Sequence, residues 1–269
     1  MGSERLEDTL HNLQEKIRKN PEDSKQRVFL FQLLSVMGQW DRALTQLRVA
    51  TDLDPKNLLM TQACEMALQC EAFREQVFSG ERTPLVMGEP QEWVSMLVQA
   101  NFLAAKGQYK ASRELTGHAL VMAPATAGAI DGKPFEWIAD ADSRLGPVLE
   151  AIIDGKYYWV PFLRIREIAI EAPVDLRDVV WLPASFTWDN SGTSAGFIPS
   201  RYPGSQASAD DAIRMARKTD WIELGEGICQ GIGQRLLITE DAEYALLDVR
   251  RITIGEPAPS SPGVESQDG

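Results

Sequence analysis

The chain has 269 residues, 44% hydrophobic and 25% charged, which are proportions typical of a soluble globular protein with one large or two modest domains. Lys and Arg total 27 against 39 Asp and Glu, so the formal net charge is −12. This charge argues against a nucleic-acid-binding surface, which needs clustered basic side chains, and favours basic or apolar partners.

The first part of the chain has helical periodicity. Asn20 and Pro21 end the first predicted helix, and we expect Asn20 to cap a second helix that has Pro21 at its first position and ends at Gly38. The apolar residues that define the first helix recur at helical spacing: Leu6, Leu10, Leu13 and Ile17.

A glycine-aromatic pattern then occurs twice. Gly38-Gln39-Trp40 opens a segment that ends at Pro55, and Gly107-Gln108-Tyr109 opens one that ends at Pro124. Both the glycines and the prolines are 69 residues apart, about two periods of the ~34-residue tetratricopeptide repeat. Between the copies, residues 57–105 predict two helices broken near Thr83-Pro84 and Gly88. The pattern therefore indicates a TPR-like stack of α-α repeats.

The character of the sequence changes at a segment rich in Ala, Gly, Thr and Pro, residues 123–133. We expect a helical repeat domain over residues 1–128 and an α+β domain with a mainly antiparallel sheet over residues 129–255. The tail, residues 256–269, is rich in Pro, Ser and Gly and is predicted to be disordered. The fold class is thus a two-domain α+β protein.

The second half mixes short strands with two predicted helices. The helices are expected at residues 147–153, ended by Gly155, and at residues 208–220, where Ser208 and Asp211 have capping-box spacing. A turn is predicted at residues 190–192. Strands are predicted at residues 157–160, 165–171, 179–182, 186–188 and 197–198, with a terminal pair at 236–239 and 244–254.

Two motifs admit a chemical interpretation. Asp140 and Asp142 are a carboxylate pair that suits a divalent metal, but Arg144 is a close partner and simple ion pairing is the alternative. The glycines of residues 225–233 resemble a dinucleotide-binding loop. However, that loop requires a helix after it, and residues 234–238 are strand-like, so a tight turn is the better interpretation.

Catalytic and membrane-spanning features are not evident in the sequence. The three cysteines, Cys64, Cys70 and Cys229, form no CxxC motif, and the histidines His11 and His118 are too few for a zinc cluster or a serine-nucleophile triad. No signal peptide and no run of the ~18 apolar residues that a membrane span needs are found. We therefore predict a cytoplasmic, non-enzymatic protein with no cofactor, no metal and no membrane contact.

Arginines and aromatic residues spread through the second half are the remaining candidates. The arginines either anchor carboxylates and loops internally or form an anion or partner site, and the aromatic residues either belong to the core or line a ligand pocket. The arginines of this set are Arg144, Arg164, Arg166, Arg177, Arg201 and Arg235. The residues taken as candidate partner contacts or structural anchors are Arg144, Arg164, Arg177, Trp181, Arg201, Tyr202 and Arg235.

Several motifs from residue 139 onward together resemble the ImpE family, also called TagJ or SciE proteins, which are accessory proteins of bacterial type VI secretion. The motifs, in order, are ADSRLGP (141–147), GKYYWVP (155–161), DLRD (175–178) with WLPA (181–184), RYPGS (201–205), TDW (219–221) and GIGQR (231–235).

The resemblance implies helical repeats followed by an α+β domain, with no known enzymatic activity. It also implies binding to the N-terminal helix of the small contractile-sheath subunit, with the ClpV-type AAA+ ATPase that disassembles sheaths as a second candidate partner. It defines no catalytic residues. The alternative functions that the sequence leaves open are an anion- or ligand-binding protein or enzyme built on the second domain, and a self-associating scaffold of undetermined oligomeric state.

Overall fold

The structure, a computed structural model, describes residues 5–89 and 91–255. The predicted tail, residues 256–269, lies outside the described residues. The first half is formed by helices α1 (Leu6–Lys19), α2 (Ser24–Val36), α3 (Trp40–Leu53), α4 (Leu58–Phe78), α5 (Glu92–Ala105) and α6 (Tyr109–Met122). Among the described residues, none of the helices combines the length and the apolar character that a membrane span requires.

The start of α2 differs from the sequence prediction. Asn20 does not cap this helix, because the chain first closes a turn in which the Asp23 amide donates to the Asn20 carbonyl at 3.3 Å. Asp23 is the cap instead, and its carboxylate accepts from the amide of Gln26 at 3.1 Å. Pro21 lies in the turn before the helix.

The two glycine-aromatic turns have the same geometry. Gly38 donates its amide to Ser35 at 3.1 Å, and Gly107 donates to the equivalent residue Ala104 at 2.9 Å. Their φ angles are +67° and +72°, a left-handed conformation that glycine adopts without strain. As a result, α2 packs against α3 and α5 packs against α6 as two helical hairpins.

The rest of the chain is rich in strands. They are β1 (Leu85–Val86), β2 (Gly128–Ile130), β3 (Lys133–Phe135), β4 (Ala139–Asp140), β5 (Val148–Ile153), β6 (Lys156–Pro161), β7 (Ile165–Ile170), β8 (Trp181–Trp188), β9 (Thr193–Pro199), β10 (Thr219–Gly225), β11 (Ile228–Gly233), β12 (Leu236–Ile238), β13 (Glu243–Ala245) and β14 (Arg251–Ile254). Between β9 and β10 lies α7 (Asp211–Arg214), a single turn.

Nine strands form one sheet, in the order β1-β6-β5-β9-β8-β7-β14-β2-β3. Every neighbouring pair is antiparallel except β1 and β6, which are parallel. The strands β10 and β11 form a separate hairpin, and β13-β12-β4 form a small sheet. The prediction of helices followed by a mainly antiparallel sheet is confirmed. However, β1 comes from the middle of the helical half and joins the large sheet at its edge.

The predicted helix at residues 147–153 is wrong, because this segment is β5. Asp154 and Gly155 both have positive φ, +49° and +70°, which is the two-residue turn that joins a tight hairpin of β5 and β6. Every residue of β5 is buried, so the sequence lacks the alternation of polar and apolar residues that identifies a half-exposed strand.

The predicted helix at residues 208–220 is also wrong. Its capping box is absent: Asp210 caps the one-turn α7 by accepting from Ala212 at 2.8 Å, and the Ser208 hydroxyl accepts from the Asp210 amide. The chain leaves the helical conformation at Ala216, whose φ is +52°, and residues 219–225 then form β10.

The strand predictions hold better. The strands near residues 157–160, 165–171 and 197–198 and the turn at 190–192 are confirmed. The predicted strand 179–182 is only half correct, because Val179 ends a 3-10 helical turn and Val180 caps it. Trp181 and Leu182 begin β8, which also contains residues 186–188. The terminal pair is partly correct: β12 pairs with β13, but a helical turn at Leu246–Asp248 separates β13 from β14.

Alternating residues of β5 show how the core is arranged. Val148 and Ile152 belong to the apolar cluster that includes the helices, whereas Leu149, Ala151 and Ile153 belong to a second cluster with residues of the remaining strands. The large sheet is therefore covered on both faces, and its helix-facing side holds the polar network described next.

Candidate functional site

A carboxylate in the middle of β5 lies at the centre of a buried ion network. Glu150, on the helix-facing side of the sheet, is completely buried. Arg74 of α4 binds it with two hydrogen bonds, Nε to Oε1 at 2.6 Å and Nη2 to Oε2 at 2.9 Å. Arg235 also donates to Oε2, and the Tyr157 hydroxyl donates to Oε1. Burial alone would raise the pKa of Glu150, but the two guanidinium groups outweigh it and lower the pKa to about 2.

Arg74 connects the helices to several strands. Its Nη2 also donates to the carbonyl of Arg201 at 2.7 Å, and its Nη1 lies 3.5 Å from Glu71 on the same helix. Glu71 in turn accepts from the indole of Trp181, at the start of β8, at 2.8 Å. One turn of α4 therefore holds β5, β8 and the segment after β9 through buried polar contacts.

Arg235 extends the network to the small sheet. Its guanidinium binds Asp140 and Glu150, its Nε donates to the Pro199 carbonyl at 3.0 Å, and it lies 5.2 Å from the ring centre of Tyr202. The Tyr202 hydroxyl donates to Asp140 at 3.0 Å. Burial raises the pKa of Asp140 to about 6, and Arg235 opposes this shift only in part.

Asp142 and Arg144 continue the network in the turn after β4. The Arg144 guanidinium holds Asp142 with contacts of 2.6–3.1 Å, and the Gly231 amide donates to the same carboxylate at 3.0 Å. The guanidinium of Arg144 also lies 4.8 Å from the ring centre of Phe78, at the end of α4.

Arg201 binds backbone carbonyls, not a carboxylate. Its Nη1 donates to the carbonyl of Val36, the last residue of α2, at 2.8 Å and to that of Arg214. Burial lowers the pKa of Arg201 to about 10. The negative end of the α2 dipole partly compensates for burying this charge.

The network contains equal numbers of arginines and carboxylates, four of each, although Arg201 contacts carbonyls and not a carboxylate. In the described part of the chain, none of their buried polar atoms lacks a hydrogen-bond partner. The eight charged residues are Arg74, Arg144, Arg201, Arg235, Glu71, Asp140, Asp142 and Glu150.

The structure brings together five of the seven candidate anchor residues, namely Arg144, Trp181, Arg201, Tyr202 and Arg235. The other two lie apart: Arg164 is 3.3 Å from Asp189, and Arg177 is 2.9 Å from Asp175. Arg166, the remaining arginine of the predicted set, is exposed and donates to the Ser191 hydroxyl.

The two chemical motifs of the sequence have structural partners. The Asp140 and Asp142 carboxylates accept the hydrogen bonds given above, and the described residues contain no group of three or more His, Cys, Asp or Glu arranged for a metal. The glycine run forms the β10–β11 hairpin, with Gly225, Glu226 and Gly227 at positive φ. No helix follows it, so the tight-turn interpretation is confirmed.

Sequence reasoning missed Glu71, Arg74, Glu150 and the polar role of Tyr157. A signal was available for two of them. Glu150 is the single charge in the apolar run PVLEAII, and Glu71 lies in a largely apolar stretch of α4. A charge inside an apolar run is costly to bury unless it is paired, so such a residue predicts a buried partner elsewhere.

Comparisons with known sequences identify the family of the chain. The family model described as "ImpE protein" matches residues 132–253. The type VI secretion system accessory component TagJ of Pseudomonas aeruginosa is 47% identical over 248 residues, covering 92% of this chain and 87% of that protein. The chain therefore belongs to the ImpE family of TagJ-like proteins.

The fold also occurs in a solved structure. The crystal structure of protein VPA1032 from Vibrio parahaemolyticus superposes with a TM-score of 0.84 at 25% identity, covering 94% of each chain. The arrangement of helices and strands described above is thus shared along nearly the whole chain.

Proposed function

We propose that this protein is a non-enzymatic accessory component of a type VI secretion system, acting in the cytoplasm as an adaptor. It binds the N-terminal helix of the small contractile-sheath subunit and assists sheath handling by the ClpV-type ATPase. The observation that carries the proposal is the 47% identity, over 92% of the chain, to a type VI accessory component.

The helical half supports an adaptor role. Its two hairpins have equivalent glycine turns, as expected for a TPR-like stack, and such stacks bind partner helices along their surfaces. Several of its helices expose large apolar side chains: Phe29, Leu58, Leu59, Met66, Phe102 and Leu120. A bound helix would cover on the order of 800 Å² of each partner, enough for reversible binding.

The buried arginines support a structural role within this adaptor. We assign Arg144, Arg201 and Arg235, with Trp181 and Tyr202, to anchoring the helical repeats, residues 1–128, on the α+β domain, residues 129–255. The donors of Arg144 and Trp181 bind carboxylates, those of Arg201 bind carbonyls, and those of Arg235 and Tyr202 bind both. Arg164 and Arg177 pair near the surface and are the members of the set better placed for a partner.

The test of this function is a titration of the purified protein against a fluorescent peptide with the sequence of the sheath subunit's N-terminal helix. We expect saturable binding with a Kd of about 1–50 μM, the range for a single helix in a shallow groove. A peptide of the same composition in scrambled order is the control. Equal signals from the two peptides, or none up to about 200 μM, would refute the proposal.

The link to the ATPase needs a separate measurement. Contracted sheaths incubated with the ClpV-type ATPase and ATP are followed by light scattering, with and without this protein. We expect a change in the disassembly rate that disappears when the N-terminal helix of the sheath subunit is deleted. An unchanged rate would remove the ATPase from the proposal and leave sheath binding standing.

A further inference from the structure

The hairpin of β10 and β11 has one covered edge and one open edge. On the β11 side, the Gly231 amide donates to Asp142 at 3.0 Å, and the Gly233 amide donates to the Ser205 hydroxyl at 2.8 Å. The Gly233 carbonyl accepts from the Tyr202 amide at 2.9 Å. On the β10 side, the described residues provide no neighbouring strand. The hairpin is therefore fixed to the ion network through β11, and the other edge of β10 is open.

The backbone groups on the open edge follow from the pairing of β10 with β11. The Gln234 amide donates to the Lys218 carbonyl at 2.9 Å, just before β10 begins. Hydrogen-bonded pairs alternate with non-hydrogen-bonded pairs in an antiparallel ladder, so the even-numbered residues of β10 bond to β11. The odd-numbered residues Thr219, Trp221 and Glu223 therefore direct their N–H and C=O groups away from β11.

The remaining sheet edges are protected against a further strand. β1 has only two residues and follows Pro84, and β3 has three residues with Pro134, which has no N–H group, at its centre. The edges of the small sheet, β4 and β13, have two and three residues. β10 has seven residues and no proline. Because short strands and prolines are the features that blunt sheet edges, β10 is the described edge best suited to accept another strand.

β10 also exposes apolar side chains on both of its faces. Trp221 packs on Tyr202, with ring centroids 5.7 Å apart, but is 39% exposed. Ile222, on the opposite face, is 44% exposed. The ladder is regular as far as Glu223, and a bulge interrupts it before Gly225. Residues 219–223 therefore form an uninterrupted open edge, which we call the β10 edge.

We infer that the β10 edge pairs with the β10 edge of a second copy of this chain, antiparallel and about a two-fold axis through Trp221. In this register Trp221 faces its own copy, Thr219 faces Glu223, and Asp220 faces Ile222. Every outward backbone group of the β10 edge then has a partner, and no like charges lie opposite each other. A second copy is favoured over an unlike strand because the edge is complementary to itself, as a closed two-fold dimer requires.

The proposed interface is small and works against the charge of the protein. Five residues of each strand cover less than about 1,200 Å² in total, the size class of transient complexes. We expect a dimer Kd of about 10–200 μM. Because each copy has a net charge of −12, the dimer should be tighter at about 0.5 M salt than at about 0.05 M. A dimer that weakens with salt would be held by ion pairs elsewhere, which would overturn the proposal.

Analytical ultracentrifugation of the full-length protein measures the association without any other protein. The average mass should rise from 29.9 kDa at about 1 μM towards twice that mass at about 500 μM. Over the same range, hydrogen exchange of the amides of residues 219–223 should slow. A constant mass up to about 500 μM would overturn the dimer. A dimer that leaves these amides unprotected would overturn the β10 edge as its interface.

Two substitutions of Ile222 test the register. Ile222→Glu places a carboxylate opposite Asp220 of the second copy and should weaken the dimer about fivefold or more. Ile222→Lys places an ammonium group there, so this variant should associate at least as tightly as the unmodified protein. The matched control is Val174→Glu, because Val174 is 90% exposed, and its Kd should be unchanged. Equal weakening by the Glu and Lys variants, or by the control, would overturn the proposed pairing.

A substitution of Asp220 should strengthen the dimer, which a damaged fold would not do. The Asp220 carboxylate accepts from the Trp221 amide at 3.0 Å and so competes with the second strand for this donor. Asp220→Ala frees the amide and removes a negative charge from each copy, so the Kd should fall about threefold or more. Asp52→Ala removes the same charge from an exposed position of α3 and should leave the Kd unchanged. An unchanged or weaker dimer with Asp220→Ala would overturn the pairing through the Trp221 amide.

Discussion

Arginine-carboxylate pairs occur both in the interior and at the surface of this molecule. The contacts themselves are similar, but the side chains differ widely in exposure. Arg74 and Glu150 meet in the interior, where both side chains are at most 5% exposed. Arg251 and Glu167 meet across β14 and β7 at 2.8 Å, but their side chains are 62% and 32% exposed. Solvent screens the second pair, whereas the first is buried, so the same chemical contact should have very different energetic consequences.

Breaking the interior pair should give the largest effect. We expect Arg74→Met to lower the free energy of unfolding by about 3–5 kcal/mol, because the completely buried Glu150 loses two of its hydrogen bonds. Urea denaturation of the variant and the unmodified protein measures the difference. A loss below about 1 kcal/mol would contradict the view that this contact is a buried ion pair.

A double variant distinguishes the cost of losing the ion-pair contact from the cost of burying an unpaired carboxylate. Arg74→Met combined with Glu150→Leu removes both charges and leaves Arg235 paired with Asp140. We expect the double variant to be at least as stable as Arg74→Met alone, because replacing a whole buried pair with apolar side chains is far less costly than removing one partner. If the losses of unfolding free energy from Arg74→Met and Glu150→Leu simply add in the double variant, the two side chains are not energetically coupled.

Two buried carboxylates should change the free energy of unfolding in opposite directions as the pH falls. The pKa of Glu150 is lowered from 4.5 to about 2. Its stabilising contribution to the free energy of unfolding is therefore complete above pH 4.5 and is lost as the pH falls toward 2. The pKa of Asp140 is raised from 3.8 to about 6, so its ionisation costs stability, and the free energy of unfolding should rise as the pH falls from about 6 to about 4. Each effect should change the free energy of unfolding by about 3 kcal/mol.

Urea denaturation between pH 4 and 8 checks the Asp140 effect. The rise on acidification should be present in the unmodified protein and absent from Asp140→Asn, and the difference between the two cancels the titration of surface carboxylates. Parallel curves for the two proteins would show that Asp140 has an ordinary pKa.

A glycine beside the network should give a smaller effect. An added Cβ atom at Gly231 would lie 2.5 Å from the ring of Tyr202, whose hydroxyl binds Asp140. We expect Gly231→Ala to cost about 1–3 kcal/mol through overpacking. Gly107→Ala is the control, because nothing lies within 4 Å of its Cβ position and only the positive φ opposes it. Equal losses would mean that the Tyr202 ring moves freely.

The sequence predicted the helical half well because its signals are local. The leucine spacing and the glycine turns at Gly38 and Gly107 are each defined by residues only a few positions apart in the chain. The structure confirms the corresponding helices. The sheet depends on distant pairing. The β5 segment is buried on both faces, so its sequence lacks the alternation that marks a strand and wrongly predicts a helix.

The ion network was predicted only as separate parts. Arg201, Arg235, Trp181 and Tyr202 are candidates by residue type, but their partners lie far along the chain, whereas Arg144 pairs with Asp142 only two residues away. Arg235 is 95 residues from Asp140, and Arg74 is 76 from Glu150. No spacing rule connects such positions, because their contact depends on how the helices pack on the sheet.

The smallest predicted effect is the sharpest control on the contrast between buried and exposed ion pairs. Arg251→Met makes the same substitution as Arg74→Met, and it also removes a hydrogen-bonded guanidinium from a carboxylate. Its partner Glu167 remains in contact with water, so the free energy of unfolding should change by less than about 0.5 kcal/mol and the change should vanish in 0.5 M salt. Urea denaturation at low and high salt measures both. If Arg251→Met costs as much as Arg74→Met, burial is not what distinguishes the two pairs, and the network would have no special part in joining helices to sheet.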